Sequence, residues 1–250
     1  MAWPRTSARR HPGSFAEVTE SPPRLAQGLF APLAPRYERW ARILSLGQDP
    51  RWRRRMVAAI GIGPGDTVLD IAAGTGSITR LLQEQGASVV SLDQSLHMLG
   101  GAMARGATGV VATAESLPFP ADRFDAVTFG YLLRYVGDVT GAMNEITRVV
   151  RPGGSVAMVE FGRPRGVWRP LWWGYTRLVL PVAGLIAGPG WYRVGRFLGP
   201  SIDGFADRYP PPRLAALWET AGLVDVRYER LSLGGGLVMW GGCPDRTAGS

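Results

Sequence analysis

The 250-residue chain contains no lysine, one cysteine and two histidines. The single cysteine, Cys243, excludes a framework of disulfide bonds, and His11 and His97 leave little material for a metal site, so we predict no metal. No secretory signal is visible at the amino terminus, because residues 1–28 are rich in Arg, Pro and Ser and have no apolar core. We therefore expect a disordered basic tail over residues 1–28 and a cytoplasmic location.

Because lysine is absent, all 28 basic residues are arginine, and the net charge is +8. Arg51, Arg53, Arg54 and Arg55 lie together around Trp52. Two interpretations are open: a solvated helix face in a chain of biased composition, which we favour, or a surface that attracts anionic lipid or nucleic acid. Nucleic acid is the weaker option and is not predicted as a partner, since no nucleic-acid-binding motif accompanies the patch.

Residues 67–82 are the most informative stretch of the chain. An apolar run ends at Asp70, a small-residue turn with Gly74 and Gly76 follows, and a run of apolar residues at helical spacing comes next. A strand, a tight turn and a helix in this order bring main chain close to a nucleotide-like ligand. The third glycine of a dinucleotide fingerprint would fall on Thr79, so that fingerprint is incomplete and a dehydrogenase is disfavoured.

A second carboxylate supports a nucleoside ligand. Asp93 ends the apolar run over residues 88–92, 19 residues after Gly74, where it can accept hydrogen bonds from two ribose hydroxyls. The turn and the spaced acid together resemble the class I S-adenosylmethionine-dependent methyltransferases, whose cofactor has a ribose and an adenine but no phosphate. This resemblance implies a Rossmann-like α/β fold with a doubly wound, mostly parallel sheet, and S-adenosyl-L-methionine as the cofactor.

The pattern predicts one domain over residues 29–245. Residues 29–60 have apolar positions at helical spacing and predict an N-terminal helical lid. Residues 61–162 alternate strand and helix patterns, which is typical of a parallel sheet covered on both faces. Residues 163–210 form an apolar insert on the acceptor side, and residues 211–245 predict a C-terminal helix and two strands. Within the core we expect strands over residues 68–71, 89–92, 109–112, 126–130 and 155–161, and helices over residues 77–86, 95–104 and 139–150.

The insert is unusually aromatic. Trp172 and Trp173 precede an apolar run over residues 178–187. That run is too short, and too interrupted by Pro181, to span about 30 Å of hydrocarbon. It is either a core-packing helical hairpin, or an apolar wall around a lipophilic acceptor that could also enter a membrane interface.

Three further blocks resemble one family more narrowly. Residues 112–120, residues 123–128, and residues 148–161, which contain Arg-Val-Val-Arg-Pro-Gly-Gly and Glu-Phe, are similar to the C-methyltransferases of menaquinone and ubiquinone biosynthesis. The similarity extends from residue 30 to residue 241. It implies an enzyme that C-methylates a lipophilic quinol such as demethylmenaquinol.

The chain departs from that family where the family lines its cofactor and acceptor. The family usually has Ser-Phe-Gly-Leu-Arg-Asn-Val where residues 130–136 are Gly-Tyr-Leu-Leu-Arg-Tyr-Val, so the arginine is kept as Arg134. In the lid, Asp49 occupies the position of a family histidine. Two alternatives therefore stay open: O- or C-methylation of another apolar small molecule, and a non-catalytic module of the same fold that binds a membrane or a protein partner.

The resemblance implies roles for individual residues. Arg134 would stabilise a developing phenolate by its charge. Asp49 is the candidate base, although a helix N-cap before Pro50 is an equally consistent role. The acceptor would be a lipophilic small molecule, peripheral membrane contact stays open, and the protein is expected to be a monomer or a homodimer. The residues expected to bind the cofactor are Tyr37, Asp70, Ala72, Gly74, Thr75, Gly76, Asp93, Gln94, Thr113, Ala114, Glu115 and Gly130.

Overall fold

The structure is a computed structural model that describes residues 28–30, 33 and 37–245. The tail predicted over residues 1–28 lies almost wholly outside these described residues. Every element named below falls inside them.

Seven strands of the described chain form one sheet. They are β1 (Thr67–Ile71), β2 (Ser88–Asp93), β3 (Thr108–Val111), β4 (Phe124–Gly130), β5 (Val150–Phe161), β6 (Val224–Leu231) and β7 (Gly236–Gly242). In space they follow the order β3-β2-β1-β4-β5-β7-β6. The strands from β3 to β5 are parallel to their neighbours, whereas β7 is antiparallel to both β5 and β6. The predicted doubly wound, mostly parallel sheet is confirmed.

Besides the helical residues 28–30, nine α-helices occur in the described residues. They are α1 (Tyr37–Leu44), α2 (Asp49–Ala59), α3 (Ser77–Glu84), α4 (Leu96–Met103), α5 (Val139–Val149), α6 (Trp168–Gly174), α7 (Leu180–Ala187), α8 (Pro189–Arg208) and α9 (Pro211–Thr220). A π-helical segment, Tyr175–Val179, joins α6 to α7, and a short 3-10 turn, Ser232–Gly234, precedes β7. The three core helices and the C-terminal helix lie where the sequence predicts them, within two residues at each end.

One predicted boundary is wrong. β5 begins at Val150, whereas the sequence predicts a strand only from residue 155. Val150 already pairs with Phe124 of β4, and a register shift between Phe124 and Ala126 absorbs the residues that separate this pair from the regular ladder. The proline and two glycines at 152–154 hide this pairing in the sequence.

Helices cover both faces of the sheet. On one face, Met143 of α5 and Trp218 of α9 are fully buried in the same cluster as Phe129 of β4. On the other face, Met56 of α2 and Leu82 of α3 belong to a second buried cluster. Because β1 and β4 are buried on both sides, neighbouring residues such as Val68 and Leu69, or Ala126 and Val127, are both apolar and buried rather than alternating with polar ones.

The strand order creates a crevice beside β1. The chain leaves β1 for β2 and β3 on one side and returns to β4 on the other. In open parallel sheets such a switch point leaves a crevice at the carboxyl ends of the strands, where ligands bind. The turn after β1 and the carboxyl end of β2 both border it.

The insert contains a helical hairpin, as one of its two interpretations requires. A methyl group on Gly184 of α7 would lie 2.5 Å from the carbonyl oxygen of Trp191, and one on Gly195 of α8 would lie 2.6 Å from that of Leu180. The two helix backbones are therefore in direct contact. Among the described helices, none combines the length and the apolarity needed to cross a bilayer.

Candidate active site

A cavity of about 710 Å³ opens at the carboxyl ends of β1, β2 and β4. Small-molecule sites in proteins have volumes of about 300–1,000 Å³, so this cavity can hold more than one small ligand. The turn after β1 forms one wall. Lid helix α2, residues 130–136 and the insert form the others, and apolar side chains such as Leu44, Trp172 and Leu198 dominate them.

The turn after β1 presents main chain to the cavity. Ala72, Gly74 and Thr75 line the cavity, and Ala72 and Gly74 have left-handed φ angles of 53° and 56°. Gly76 does not line it. Gly76 has φ 86° at the start of α3, and a methyl group there would lie 2.8 Å from the Cα of Ala102, so only glycine fits. Gly76 therefore shapes the turn from behind rather than lining the cavity, and its predicted contact with the cofactor stays a prediction.

Asp70 also lies behind the turn. Its carboxylate is completely buried, outside the cavity wall, and accepts hydrogen bonds from the hydroxyls of Thr79 at 2.7 Å and Thr128 at 3.1 Å. Burial raises the pKa of Asp70 to about 6, although these hydrogen bonds oppose the rise. Asp70 therefore braces the turn from behind, and its predicted contact with the cofactor stays a prediction. Thr79, which interrupts the dinucleotide fingerprint, donates one of the two hydroxyl hydrogen bonds that hold the Asp70 carboxylate in place.

Asp93 borders the cavity at the end of β2. It is 9% exposed, and its two carboxylate oxygens accept hydrogen bonds from the main-chain N–H groups of Gly74 at 3.0 Å and Ser95 at 2.9 Å. Burial raises the pKa of Asp93, while these N–H groups favour its charged form. Each carboxylate oxygen has a further lone pair, so the side chain can still accept two hydroxyl groups from a ligand.

The structure brings most of the other predicted cofactor residues to the same cavity. Gln94, Thr113, Ala114 and Glu115 line it beside Asp93. Glu115 is held by the main-chain N–H of Gly137 at 3.0 Å. Gly130 lines the cavity from β4. Tyr37 is the first residue of α1, but its side chain lies outside the described part of the structure.

Asp49 lines the cavity within a buried hydrogen-bonded group. Arg53, one turn further along α2, donates through Nε to both carboxylate oxygens at 2.8 and 2.9 Å, and the hydroxyl of Tyr131 donates to one of them. The N-cap position belongs to Gln48, and Asp49 is the first helical residue, so the alternative role as a cap is wrong. Burial, followed by the negative charge of Asp49, raises the pKa of Tyr131 well above 10, so this phenol keeps its proton.

The arginine patch on α2 is not a solvated face. Arg53 is only 8% exposed and faces the cavity, and Arg55 makes a bidentate ion pair with Glu229 of β6. Only Arg51 and Arg54 point to solvent. The interpretation of the patch as a solvated helix face is therefore wrong for Arg53 and Arg55 and holds for Arg51 and Arg54. Adjacent residues on a helix face different sides, so one face cannot contain all four.

Arg134 forms a second buried ion pair at the opposite wall. Its Nε donates to Glu160 at 2.9 Å, and both side chains are 2% exposed. Burial lowers the pKa of Arg134, but the charge of Glu160 outweighs this effect, so the net shift is upward and the guanidinium stays charged. The sequence marks Glu160 as part of a family block without indicating that it pairs with Arg134.

Two aromatic rings lie between the two guanidinium groups. Tyr131 and Phe161 are stacked, with centroids 4.5 Å apart and planes at 30°. Arg53 lies 5.2 Å from the Tyr131 ring, and Arg134 lies 5.3 Å from the Phe161 ring. Tyr131 adopts φ 57°, an unfavourable conformation for a tyrosine that aims its hydroxyl at Asp49. This wall offers a flat apolar surface with an arginine–carboxylate pair at each end.

Known proteins share both the sequence and the fold of this chain. The model of the ubiE/COQ5 methyltransferase family matches residues 18–241. A demethylmenaquinone methyltransferase of Mycobacterium sp. (strain KMS) is 38% identical over 228 residues, which cover 90% of this chain and 95% of the relative. The protein of the same name from Renibacterium salmoninarum is 36% identical over 230 residues, which cover 90% and 93%. The chain belongs to the ubiE/COQ5 methyltransferase family.

Solved structures at lower identity agree on the fold. An S-adenosylmethionine-dependent methyltransferase from Thermotoga maritima has a TM-score of 0.58 and 18% identity, over 86% of this chain and 99% of the other. Phosphoethanolamine N-methyltransferase 2 of Haemonchus contortus, solved with S-adenosyl-L-methionine, has a TM-score of 0.57 and 15% identity, over 78% and 53%. The protein is an S-adenosylmethionine-dependent methyltransferase of the class I fold, and the resemblance stated from the sequence is confirmed.

Proposed function

We propose that this methyltransferase adds a methyl group to a ring carbon of a lipophilic quinol such as demethylmenaquinol. The observation that carries the proposal is one cavity with two different ends. A main-chain turn and Asp93 border one end, and aromatic rings with two buried ion pairs border the other. The curated relatives named demethylmenaquinone methyltransferase support the choice of acceptor.

The first end fits S-adenosyl-L-methionine. A carboxylate with spare lone pairs suits the ribose hydroxyls, the main chain of Gly74 and Thr75 suits the methionine part, and residues 113–115 would flank the adenine. Any side chain at Gly74 would have to adopt a left-handed φ and approach Met98 to within 3.4 Å. When bound, this cofactor supplies an electrophilic methyl group.

The second end suits an acceptor that becomes anionic. A phenol has a pKa near 10, so the quinol must lose a hydroxyl proton before its ring carbon becomes a good nucleophile. We assign the proton to Asp49, reached directly or through the hydroxyl of Tyr131, which already donates to Asp49. Arg134 would stabilise the phenolate by its charge. The methylated carbon then loses its hydrogen as a proton to water, which restores the aromatic ring as a phenolate. Asp49 returns its proton to the phenolate oxygen, so one proton is released in each turnover.

Exclusion of water from the cavity would further lower the barrier to methyl transfer. Charges on the two reactants disappear as the new bond forms, so a dry cavity favours the transition state over the separated ions. Lid helices α1 and α2 and the tryptophans of the insert would supply that dryness. Because the acceptor is lipophilic, we also infer that the enzyme is a cytoplasmic protein that meets its acceptor at a membrane surface.

The test is a product analysis. The purified protein is incubated with methyl-labelled S-adenosyl-L-methionine and demethylmenaquinol in detergent, and the labelled product is identified by mass spectrometry. We expect the label on a ring carbon, stable to reagents that cleave aryl methyl ethers. A labelled ether, or no turnover on any quinol, would overturn the proposal.

A further inference from the structure

A second cavity, of about 230 Å³, adjoins the first. Phe161 and Pro164 line both cavities, so only the segment after β5 separates them. We name the second cavity the arginine cleft, because its wall contains four arginine side chains. They are Arg163, Arg165, Arg169 and Arg230.

The positive charge of the arginine cleft is poorly neutralised. Arg163 pairs with Asp207 at the exposed rim, at 2.6 Å. Within the described residues, Arg165 and Arg230 make no ion pair. Burial lowers the pKa of Arg230, and the positive charge of Arg165 lowers it further, so the two guanidinium groups repel each other. An anion placed between them would remove that repulsion.

In the segment that follows the cleft, all the charged residues are basic as well. Between Glu160 and Asp203 the sequence has six arginines and no acidic residue. Of these six, Arg177 pairs with Asp203 and Arg163 with Asp207, and both carboxylates follow this stretch in sequence. The segment therefore carries a field that favours an extended anionic partner over a neutral one.

An apolar stripe begins beside the cleft. The helical run from α6 through the π segment to α7 exposes Leu171, Leu178, Val182 and Leu185 by 60–65% each. Spacings of four and three residues put Leu178, Val182 and Leu185 on one face, and Leu171 precedes them in α6, ahead of the π segment. The opposite face of α7 is closed against α8 by Gly184. No described residue covers the stripe, and its first member, Leu171, also lines the active-site cavity.

We propose that the arginine cleft and the apolar stripe together dock this protein on an anionic phospholipid bilayer, with a headgroup phosphate in the cleft and the stripe in the acyl boundary. Guanidinium groups match phosphate oxygens in bidentate geometry, and exposed apolar side chains next to basic ones can enter the boundary between headgroups and acyl chains. A nucleic acid would satisfy the charge but would leave the apolar stripe in water. The docked orientation would bring the cavity mouth to the lipid, and this last consequence alone rests on the proposed function.

The test is co-sedimentation of the full chain with vesicles of phosphatidylglycerol and phosphatidylcholine, without any methyl donor or acceptor. A basic side chain near an anionic membrane contributes about fivefold to binding, so R165Q/R230Q should weaken binding about 25-fold. R165Q alone changes an exposed side chain and should weaken it about fivefold, which keeps the test valid if Arg230 affects folding. L185S/I186S should also reduce binding, because both side chains are exposed and outside the cavity.

The matched control is R123Q/R227Q, which removes the same charge from two exposed arginines that make no ion pair within the described residues, at the amino end of β4 and in the amino-terminal half of β6. Equal losses for the control and for R165Q/R230Q would overturn the cleft as the docking site. So would binding of inorganic phosphate or duplex DNA that depends on Arg165 while vesicles are not bound. Activity on detergent-dispersed acceptor should be unchanged in R165Q/R230Q, so a failure of docking and a failure of methyl transfer can be told apart.

Discussion

At the cofactor end of the cavity, the wall is mostly main chain: the turn after β1, where the N–H of Gly74 donates a hydrogen bond to Asp93. At the acceptor end, the wall is made of side chains that distant segments bring together. Tyr131 reaches Asp49 across 82 positions, and Arg134 reaches Glu160 across 26. The cofactor end therefore suits a ligand that all S-adenosylmethionine-dependent methyltransferases share, whereas the acceptor end is free to vary with the acceptor.

Replacing Asp93 with Ala should have the largest effect on ligand binding, and this effect should be confined to the cofactor. Two hydrogen bonds to a charged group contribute about 1.5–3 kcal/mol each, so affinity for S-adenosyl-L-methionine should fall by more than about 100-fold in titration calorimetry. Asp138→Ala, at the N-cap of α5, is the matched control and should leave that affinity unchanged. Unaltered affinity in Asp93→Ala would discredit the ribose assignment.

Replacing Arg134 with Gln tests whether the acceptor end depends on paired charges. Glu160 would be left buried without its partner, which costs about 3–5 kcal/mol of stability in denaturant unfolding. The double variant Arg134→Met/Glu160→Leu should recover most of that stability but not methyl transfer. If activity returns with stability, Arg134 has no role beyond folding.

Asp70→Asn tests how the buried carboxyl group behind the turn affects the free energy of unfolding as the pH changes. The pKa of Asp70 is about 6 in the fold against 3.8 for the free side chain, so the folded state holds the proton more tightly. Its contribution to stability is complete below pH 3.8 and is lost as the pH rises through 6. The variant, which has no such group, should gain about 3 kcal/mol relative to the natural protein between pH 4 and pH 7. Parallel pH profiles of unfolding free energy would contradict this account.

Asp49→Asn should lower turnover, and it should also reduce stability by about 3–5 kcal/mol because Arg53 would be left buried without its charged partner. An amide can keep the hydrogen bond from Tyr131 but cannot take the quinol proton, so kcat should fall by about 100-fold with cofactor affinity unchanged. Tyr131→Phe sharpens the result: an equal loss places the hydroxyl in the proton path, and a small loss means that Asp49 acts directly. Full turnover in Asp49→Asn would remove Asp49 from the mechanism.

The features that could be predicted from the sequence lie mainly at the cofactor end of the cavity, and those that could not lie mainly at the acceptor end. Strands β1, β2 and β4 and the turn with Gly74 are local patterns, so their place in the sequence is enough to locate them. Arg53 was assigned to a solvated face because burial depends on which side of α2 packs on the sheet. The hydrogen bond from Thr128 to Asp70 has no local signal in the sequence, because Thr128 comes from β4, 58 residues away.

By itself, the sequence determined the order of strands and helices, the glycine turn, the acid that closes β2 and the family. These depend on hydrophobic period and on backbone angles, which act over a few residues. Only the tertiary structure decided that Asp49, Arg53 and Tyr131 meet, that Arg134 is paired with Glu160, and that four arginines line one cleft. Such contacts depend on the burial of charge among segments far apart in the chain, and no local pattern records it.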